Sequence, residues 1–234
     1  MTILNIETSG KICSVAITMN GALELQLDDD SGMQHANRLA PFVDRCMAEL
    51  RRRDIPLDAV AVSMGPGSYT GLRIGLSLAK GLAFSLGVPL IGVDTIQTIA
   101  VKAMFRPLPW TGEEILVPMV DARRMEVFTA AYDFALNPVV EPGAMIIDAD
   151  SFKDLLDSGR QLYFMGDGAE KVKEVIKHPN AHWVDGLLPQ AKDMLALAEK
   201  SFRNGDFLDV AYSTPNYLKA YQTTKPRNLL KTLG

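Results

Sequence analysis

Residues 3–28, ILNIETSGKICSVAITMNGALELQLD, open the chain with a strand, a tight turn and a hairpin. Ile3-Leu4-Asn5-Ile6-Glu7 is a short apolar run that ends on a carboxylate, and Thr8-Ser9-Gly10-Lys11 reverses it into strands near 12–19 and 22–28. Asn20-Gly21 joins those two strands, a pair suited to a two-residue hairpin because both positions tolerate positive φ. The phrase returns at 115–132, ILVPMVDARRMEVFTAAY, where a strand ends on Asp121 and turns through Ala122-Arg123-Arg124 into an alternating strand. Two hairpin-led α/β units imply two lobes, assigned to residues 1–100 and 101–234. Their boundary is placed within 94–114, around Arg106-Pro107-Leu108-Pro109-Trp110-Thr111-Gly112, and roughly the last 20 residues are read as returning to the first lobe.

Between the two phrases lies GPGSYTGLRIGLSLAKGLAFSLG, residues 65–87, which follows the buried-strand pattern Ala59–Met64. The order is strand, glycine turn, helix, and the helix is apolar almost all round, with Arg73, Ser77 and Lys80 in one narrow stripe. Gly71, Gly75, Ala79 and Ala83 recur every four residues and strip side-chain bulk from one ridge, which lets another backbone come close. The structural reading of that row is a core helix squeezed between a sheet and a neighbour. A membrane span is disfavoured by two cations, four glycines and the break at Gly87-Val88-Pro89. The loop is not a Walker A motif, because Leu72-Arg73 stand where Lys-Ser/Thr belongs. It is not a dinucleotide fingerprint either, because Thr70 replaces the third glycine.

With 234 residues, 47% apolar content and a net charge of −4, the chain reads as a globular protein without the basic field of a nucleic-acid-coating surface. Cys13 and Cys46 have neither metal spacing nor the count of a disulfide scaffold, and the N-terminus lacks a signal-peptide pattern, so a cytoplasmic setting is expected. Ser31 with Gln34 fits a capping box, followed by Ala36, Leu39, Val43, Cys46, Met47 and Leu50 at helical spacing. Pro41 predicts a kink or a later start in that helix. Arg51-Arg52-Arg53 complement its C-terminal end, with a local nucleic-acid-contacting patch as the alternative. Helices are predicted over 151–157, 168–178 and 190–203, with a strand at 162–165.

Four motifs together are similar to the TsaB (YeaZ) family: Ile6-Glu7-Thr8-Ser9, His35 leading Leu39-Ala40-Pro41, Gly65-Pro66-Gly67-Ser68-Tyr69-Thr70-Gly71-Leu72-Arg73, and Val120-Asp121-Ala122-Arg123-Arg124. Pro215-Asn216-Tyr217-Leu218-Lys219 resembles the family's closing motif. The resemblance implies the two-lobe fold shared by actin, sugar kinases and Hsp70, an ASKHA or ribonuclease H-like α/β architecture. It implies a non-catalytic role in making threonylcarbamoyladenosine beside the tRNA anticodon. The partner would be the catalytic relative TsaD, with the ATPase TsaE joining, a TsaC-type enzyme supplying threonylcarbamoyl-adenylate, and tRNA met through the complex. A homodimer of the free chain is left open, as is weak ATP or ADP binding at the complex interface.

Catalysis by this chain itself would need groups that hold a phosphate, a metal ion or a nucleophile. Phosphate-proximal candidates are Glu7, Thr8 and Ser9 in the first turn, Asp121 and Arg123 in the second, and Gly166 and Gly168 in an adenosine-side turn. The second turn lacks the glycine that brings backbone close to an anion. For a metal, TsaD-like relatives use a histidine pair spaced by three residues, but His35 is followed by Leu39 one turn on, and Pro179-Asn180 interrupt His178…His182. An active ATPase or small-molecule kinase, and a glycoprotease-like hydrolase using His35 with a loop serine, remain the rival readings. The favoured one is partner docking through helices 34–53 and 71–87. Its contact residues would be His35, Leu39, Phe42 and Cys46 on the first helix and Ile74, Gly75, Ser77, Lys80 and Phe84 on the second.

Overall fold

Each hairpin phrase nucleates one sheet. In the computed structural model, which describes residues 1–32 and 35–218, β1 (Thr2–Glu7), β2 (Cys13–Met19) and β3 (Ala22–Asp29) form an antiparallel meander. β4 (Ala59–Gly65) lies parallel to β1, and β5 (Leu90–Asp94) parallel to β4. The second phrase gives β6 (Ile115–Asp121), β7 (Glu126–Tyr132) and β8 (Pro138–Ile146), with β9 (Leu162–Met165) parallel to β6 and β10 (Ala181–Val184) parallel to β9. The sheet orders are β3-β2-β1-β4-β5 and β10-β9-β6-β7-β8. Counted from its own first strand, each sheet reads 3-2-1-4-5. This duplicated unit is the two-lobe actin-like, ribonuclease H-like architecture.

β1 is buried along its whole length because both faces are covered. Leu4 and Ile6 enter one core with Val43 and Leu76, while Ile3 enters another with Met194 and Leu197. Between β2 and β3, Asn20 and Gly21 take φ of 50° and 82°, as the Asn-Gly signal requires.

The helices are α1 (His35–Arg52), α2 (Tyr69–Leu86), α3 (Thr95–Met104), α4 (Lys153–Asp157), α5 (Ala169–Val172) and α6 (Leu195–Asn204). α1 starts before Pro41 and runs through it, with Leu39, Val43, Cys46 and Leu50 on the inner face. Inward packing on both sides of the proline outweighs the one hydrogen bond it removes. At its end Arg51 pairs with Asp44 at 3.6 Å, Arg52 grips Glu49, and Arg53 reaches Glu24 on β3 at 2.8 Å, so each of the three arginines has a carboxylate partner within the fold.

The stretch 94–114, read as a boundary, contains α3, whose N-cap is Asp94 accepting from the Gln97 N–H at 2.9 Å. Ile96, Ile99 and Ala100 of α3 pack on the second sheet beside Leu116 and Tyr132. Conversely α6, with the short 3-10 turn Ala191–Met194 before it, packs on the first sheet. The predicted helix 168–178 is regular only over Ala169–Val172, although Val172 and Ile176 still turn inward one turn apart. The apolar spacing there marks burial without continuous helical hydrogen bonding. Gln34 of the expected capping box and Lys219 of the closing motif lie outside the described residues. Among the described residues no helix is long and apolar enough to cross a membrane.

Candidate functional site

The glycine loop and α2 close over the first hairpin turn. Thr8 and Ser9 are buried, the Ser68 N–H donates to the Ser9 carbonyl at 2.7 Å, and the Thr8 N–H donates to Ser63 Oγ at 3.2 Å. A Cβ on Gly67 would stand 2.3 Å from the Ser9 carbonyl oxygen, one on Gly71 2.1 Å from that of Thr8, and one on Gly75 2.2 Å from Thr8 Oγ1. The missing side chains are therefore a requirement of internal packing. The sequence assigned the Gly71-Gly75-Ala79-Ala83 ridge to close approach, and the backbone that approaches is the chain's own turn. Gly75 offers no surface to a partner.

Glu7 lies at the floor of this turn, fully buried, with Oε1 accepting the Ser9 N–H at 2.5 Å. Burial pushes its carboxyl up to about 7, against the opposing pull of hydrogen bonds from Ser9 and Ser63. Thr8 and Ser9 stand where the resemblance puts a phosphate, yet Gly67, Gly71 and Gly75 already occupy the space against them.

The second turn is built differently. Arg123 and Arg124 take φ of 72° and 53°, in the left-handed region, and Asp121 accepts from the Arg123 N–H at 2.9 Å and from the Lys171 ammonium. Burial alone would raise the Asp121 carboxyl, but Lys171 and Arg123 hold it below the usual carboxylate range. Gly166 and Gly168 press the β9–α5 turn onto β6. A Cβ on Gly166, at φ 94°, would meet the Met119 carbonyl oxygen at 2.2 Å, and one on Gly168 the Met119 Cβ at 3.1 Å. Asp167, between them, accepts the Asp121 N–H at 2.9 Å. Asp121, Gly166 and Gly168 thus converge on one corner of the second lobe, while Glu7, Thr8 and Ser9 form a separate buried knot in the first.

Of the predicted contact residues, His35, Leu39 and Cys46 are buried in the first lobe's interior and cannot meet a partner. Burial pushes the Cys46 thiol up to about 12 and moves the His35 imidazole down, with the Gly10 and Ile12 backbone groups pulling the other way. Helical spacing alone could not show which side of α1 faces inward. Phe42 and Ile74 are half-buried, packed against the first-lobe core. Lys80 is committed internally, donating to the Ala211 and Ser213 carbonyls at 2.9 and 3.1 Å.

Ser77 and Phe84 are exposed, Phe84 to 81%. They share a stripe with Arg73 and Gly81, where a Cβ on Gly81 would meet nothing within 4 Å. Half-buried Ile74 and Leu78 flank that stripe. A low ridge at Ser77 and Gly81, bordered by apolar side chains and ending on Phe84, is a surface another helix can approach closely. Ser77 and Phe84, read from the sequence as partner contacts, are thus the two of the nine that the fold leaves exposed. The sequence reading missed Gly81 and Leu78, whose glycine and leucine periodicity is indistinguishable from that of the core row.

The histidine pair separates by element. His178 Nδ1 accepts the Asn180 N–H at 3.1 Å within a turn, whereas His182 lies on β10, stacked on Tyr163 and 2.6 Å from Gln161 Oε1. Among the described residues, no three His, Cys, Asp or Glu side chains gather to hold a metal ion. Of the loop hydroxyls, Ser63 supports Thr8 and Ser68 caps α2 by accepting the Gly71 N–H at 3.2 Å.

Against known proteins, the family model described as TsaD, tRNA N6-adenosine threonylcarbamoyltransferase, matches residues 29–227. The Escherichia coli K12 tRNA threonylcarbamoyladenosine biosynthesis protein TsaB is 30% identical over 224 residues, covering 94% of this chain and 95% of that protein. Its Bacillus subtilis 168 namesake is 30% identical over 179 residues, 76% of each. Among solved structures, YeaZ from Pseudomonas aeruginosa superposes with a TM-score of 0.73 at 27% identity, over 93% of this chain and 99% of that one.

Proposed function

The chain belongs to the TsaB (YeaZ) family, and on that premise we propose that it is a non-catalytic subunit that docks on TsaD through the outer face of α2. It takes part in tRNA threonylcarbamoyladenosine biosynthesis, the process for which its relatives are named. In this reading the chain heterodimerises with TsaD and supports it. TsaE joins the pair, a TsaC-type enzyme supplies the activated threonylcarbamoyl group, and tRNA is met through the complex, in the cytoplasm.

The observation that carries the reading is the contrast along α2. Its glycine row is filled by the chain's own turn, whereas Ser77 and Gly81 leave a second low ridge open beside Phe84. An exposed large aromatic beside a smooth helical ridge suits a helix-on-helix interface. Packing of α2 against Thr8 and Ser9 also disfavours a kinase-like role for the first turn. ATP or ADP, where it binds, belongs in this reading to the complex interface and the second-lobe corner.

The test is Ser77→Arg. The variant should fold and melt like the parent, because Ser77 is exposed. Mixed with TsaD it should show only separate components by native mass measurement, and tRNA modification reconstituted with TsaD, TsaE and a TsaC-type enzyme should fall to the level seen without this chain. An intact complex with full modification would overturn the reading.

A further inference from the structure

Lys80 was read from the sequence as a partner contact, yet its ammonium is spent on the chain's own backbone, and what it holds is informative. It donates to the Ala211 and Ser213 carbonyls, so α2 grips a stretch of irregular chain that follows α6. The same stretch is tied down at both ends. The Leu208 N–H donates to the Leu90 carbonyl at 2.8 Å, and the Leu208 side chain fills the space above Gly92, 3.0 Å from where a Cβ would be. Further on, the Asn216 N–H donates to the Met64 carbonyl at 2.7 Å, and the Tyr217 ring lies 5.3 Å from that of Tyr69 at the start of α2. Between these anchors Asp209 Oδ1 accepts from the Ala211 and Tyr212 N–H groups at 2.7 and 2.9 Å, shaping a turn. Residues 208–217 thus form a strap along α2, and Lys80 is its central clasp.

The turn at the clasp leaves Tyr212 85% exposed, next in sequence to Ala211. Lys80, Gly81, Phe84, Asp209, Val210 and Ala211 line one shallow, open concavity of about 580 Å³. Phe84 therefore lines an apolar depression that shares Gly81 with the Ser77–Gly81 ridge, and the exposed Tyr212 follows directly on Ala211, another of its lining residues. Both are large amphipathic or apolar anchors of the kind that dominate protein interfaces.

We propose that Lys80 is a positioning residue: by clasping the 208–217 strap to α2 it presents Tyr212 as a second wing of the docking surface, and the TsaD subunit seated on α2 also covers the strap. This rests on the docking reading above and adds a second contact element to it. Lys80 acts through the strap and does not itself touch the partner. Removing the ammonium leaves the part-buried Ser213 carbonyl without that donor and releases the exposed Ala211 carbonyl to water.

The experiment uses the full chain and purified TsaD. Hydrogen exchange of the free protein reads the order of the strap, and titration calorimetry reads association, for Lys80→Met, Lys80→Arg, Tyr212→Ala and Phe84→Asp. Lys80→Met should raise exchange of the amides at 211–216 by about tenfold or more and weaken association, and Lys80→Arg should restore most of both. Tyr212→Ala should weaken association by about tenfold while leaving strap exchange at the parent level. If Phe84→Asp abolishes association but Tyr212→Ala and Lys80→Met bind like the parent, the strap is no part of the interface and the inference fails while α2 docking stands. If Phe84→Asp also binds like the parent, the docking reading itself fails. Unchanged strap exchange in Lys80→Met would overturn the clasp directly.

Discussion

Two rows of small residues run along α2 and face opposite ways. On the inner row, Gly71 and Gly75 leave no room even for a methyl group, because the Thr8–Ser9 turn fills the space to within 2.2 Å of each would-be Cβ. On the outer row, Gly81 faces nothing within 4 Å and Ser77 is exposed. A glycine in a helix interior costs about 1 kcal/mol relative to alanine. The inner glycines are retained against that cost because the fold needs their backbones close. No contact within the described chain gives Gly81 the same excuse, which is why an external backbone is the natural reason for it.

Four measurements bear on the difference between the two rows and the turns beneath them. The largest effect should come from Gly71→Ala, where the clash is with a carbonyl oxygen that no rotamer can move. Chemical denaturation should show a loss of about 3 kcal/mol, and parent-like stability would show that the inner row is slack.

Next is the pH response of the same turn. Glu7 has a folded-state value of about 7 against an ordinary 4.5. A carboxyl that binds its proton more tightly when folded contributes stability that is complete below about pH 4.5 and is lost as pH rises to about 7. Relative to Glu7→Gln, the parent should lose roughly 2–3 kcal/mol across that window. Parallel stability profiles for parent and variant would remove Glu7 from the account.

Gly81→Ala tests the outer row with the opposite sign. It should stabilise the free protein by about 1 kcal/mol, since helix propensity improves and nothing is displaced. A loss of stability would mean that Gly81 packs internally after all.

The smallest effect belongs to the second lobe's exposed turn. Lys171→Met, which removes a donor to Asp121 and to the Glu126 carbonyl while the Arg123 N–H still serves Asp121, should cost only about 0.5–1 kcal/mol because the Asp121 side chain is 46% exposed. A loss as large as that of Gly71→Ala would show that the two turns are equally structural.

Much of this fold was legible from local chemistry. Asn20-Gly21, the carboxylate-ended strands at Glu7 and Asp121, and the inward spacing of Leu39, Val43, Cys46 and Leu50 each named an element that the structure contains. What escaped was set by tertiary packing. α3 follows a strand directly and packs on the other lobe, so its segment was read as the boundary between lobes. β10 is four half-buried residues with no alternation to announce it.

The site was less legible still, since a four-residue repeat of small side chains looks the same whether the backbone that fills it is internal or external. Periodicity placed Gly75 and Ser77 on one docking helix, although they lie on opposite sides of it. Lys80 read as a partner contact, and nothing in its sequence neighbourhood pointed to carbonyls more than 130 positions away. Tyr212 carried no pattern at all.

The most direct test of the outer-face assignment is Gly81→Gln, assayed for thermal stability alone and for affinity to TsaD by titration calorimetry. A long side chain there meets open space in the free protein but fills the ridge. The expected result is a melting temperature at or above the parent's together with loss of measurable TsaD binding. Parent-like affinity in that variant would contradict that assignment.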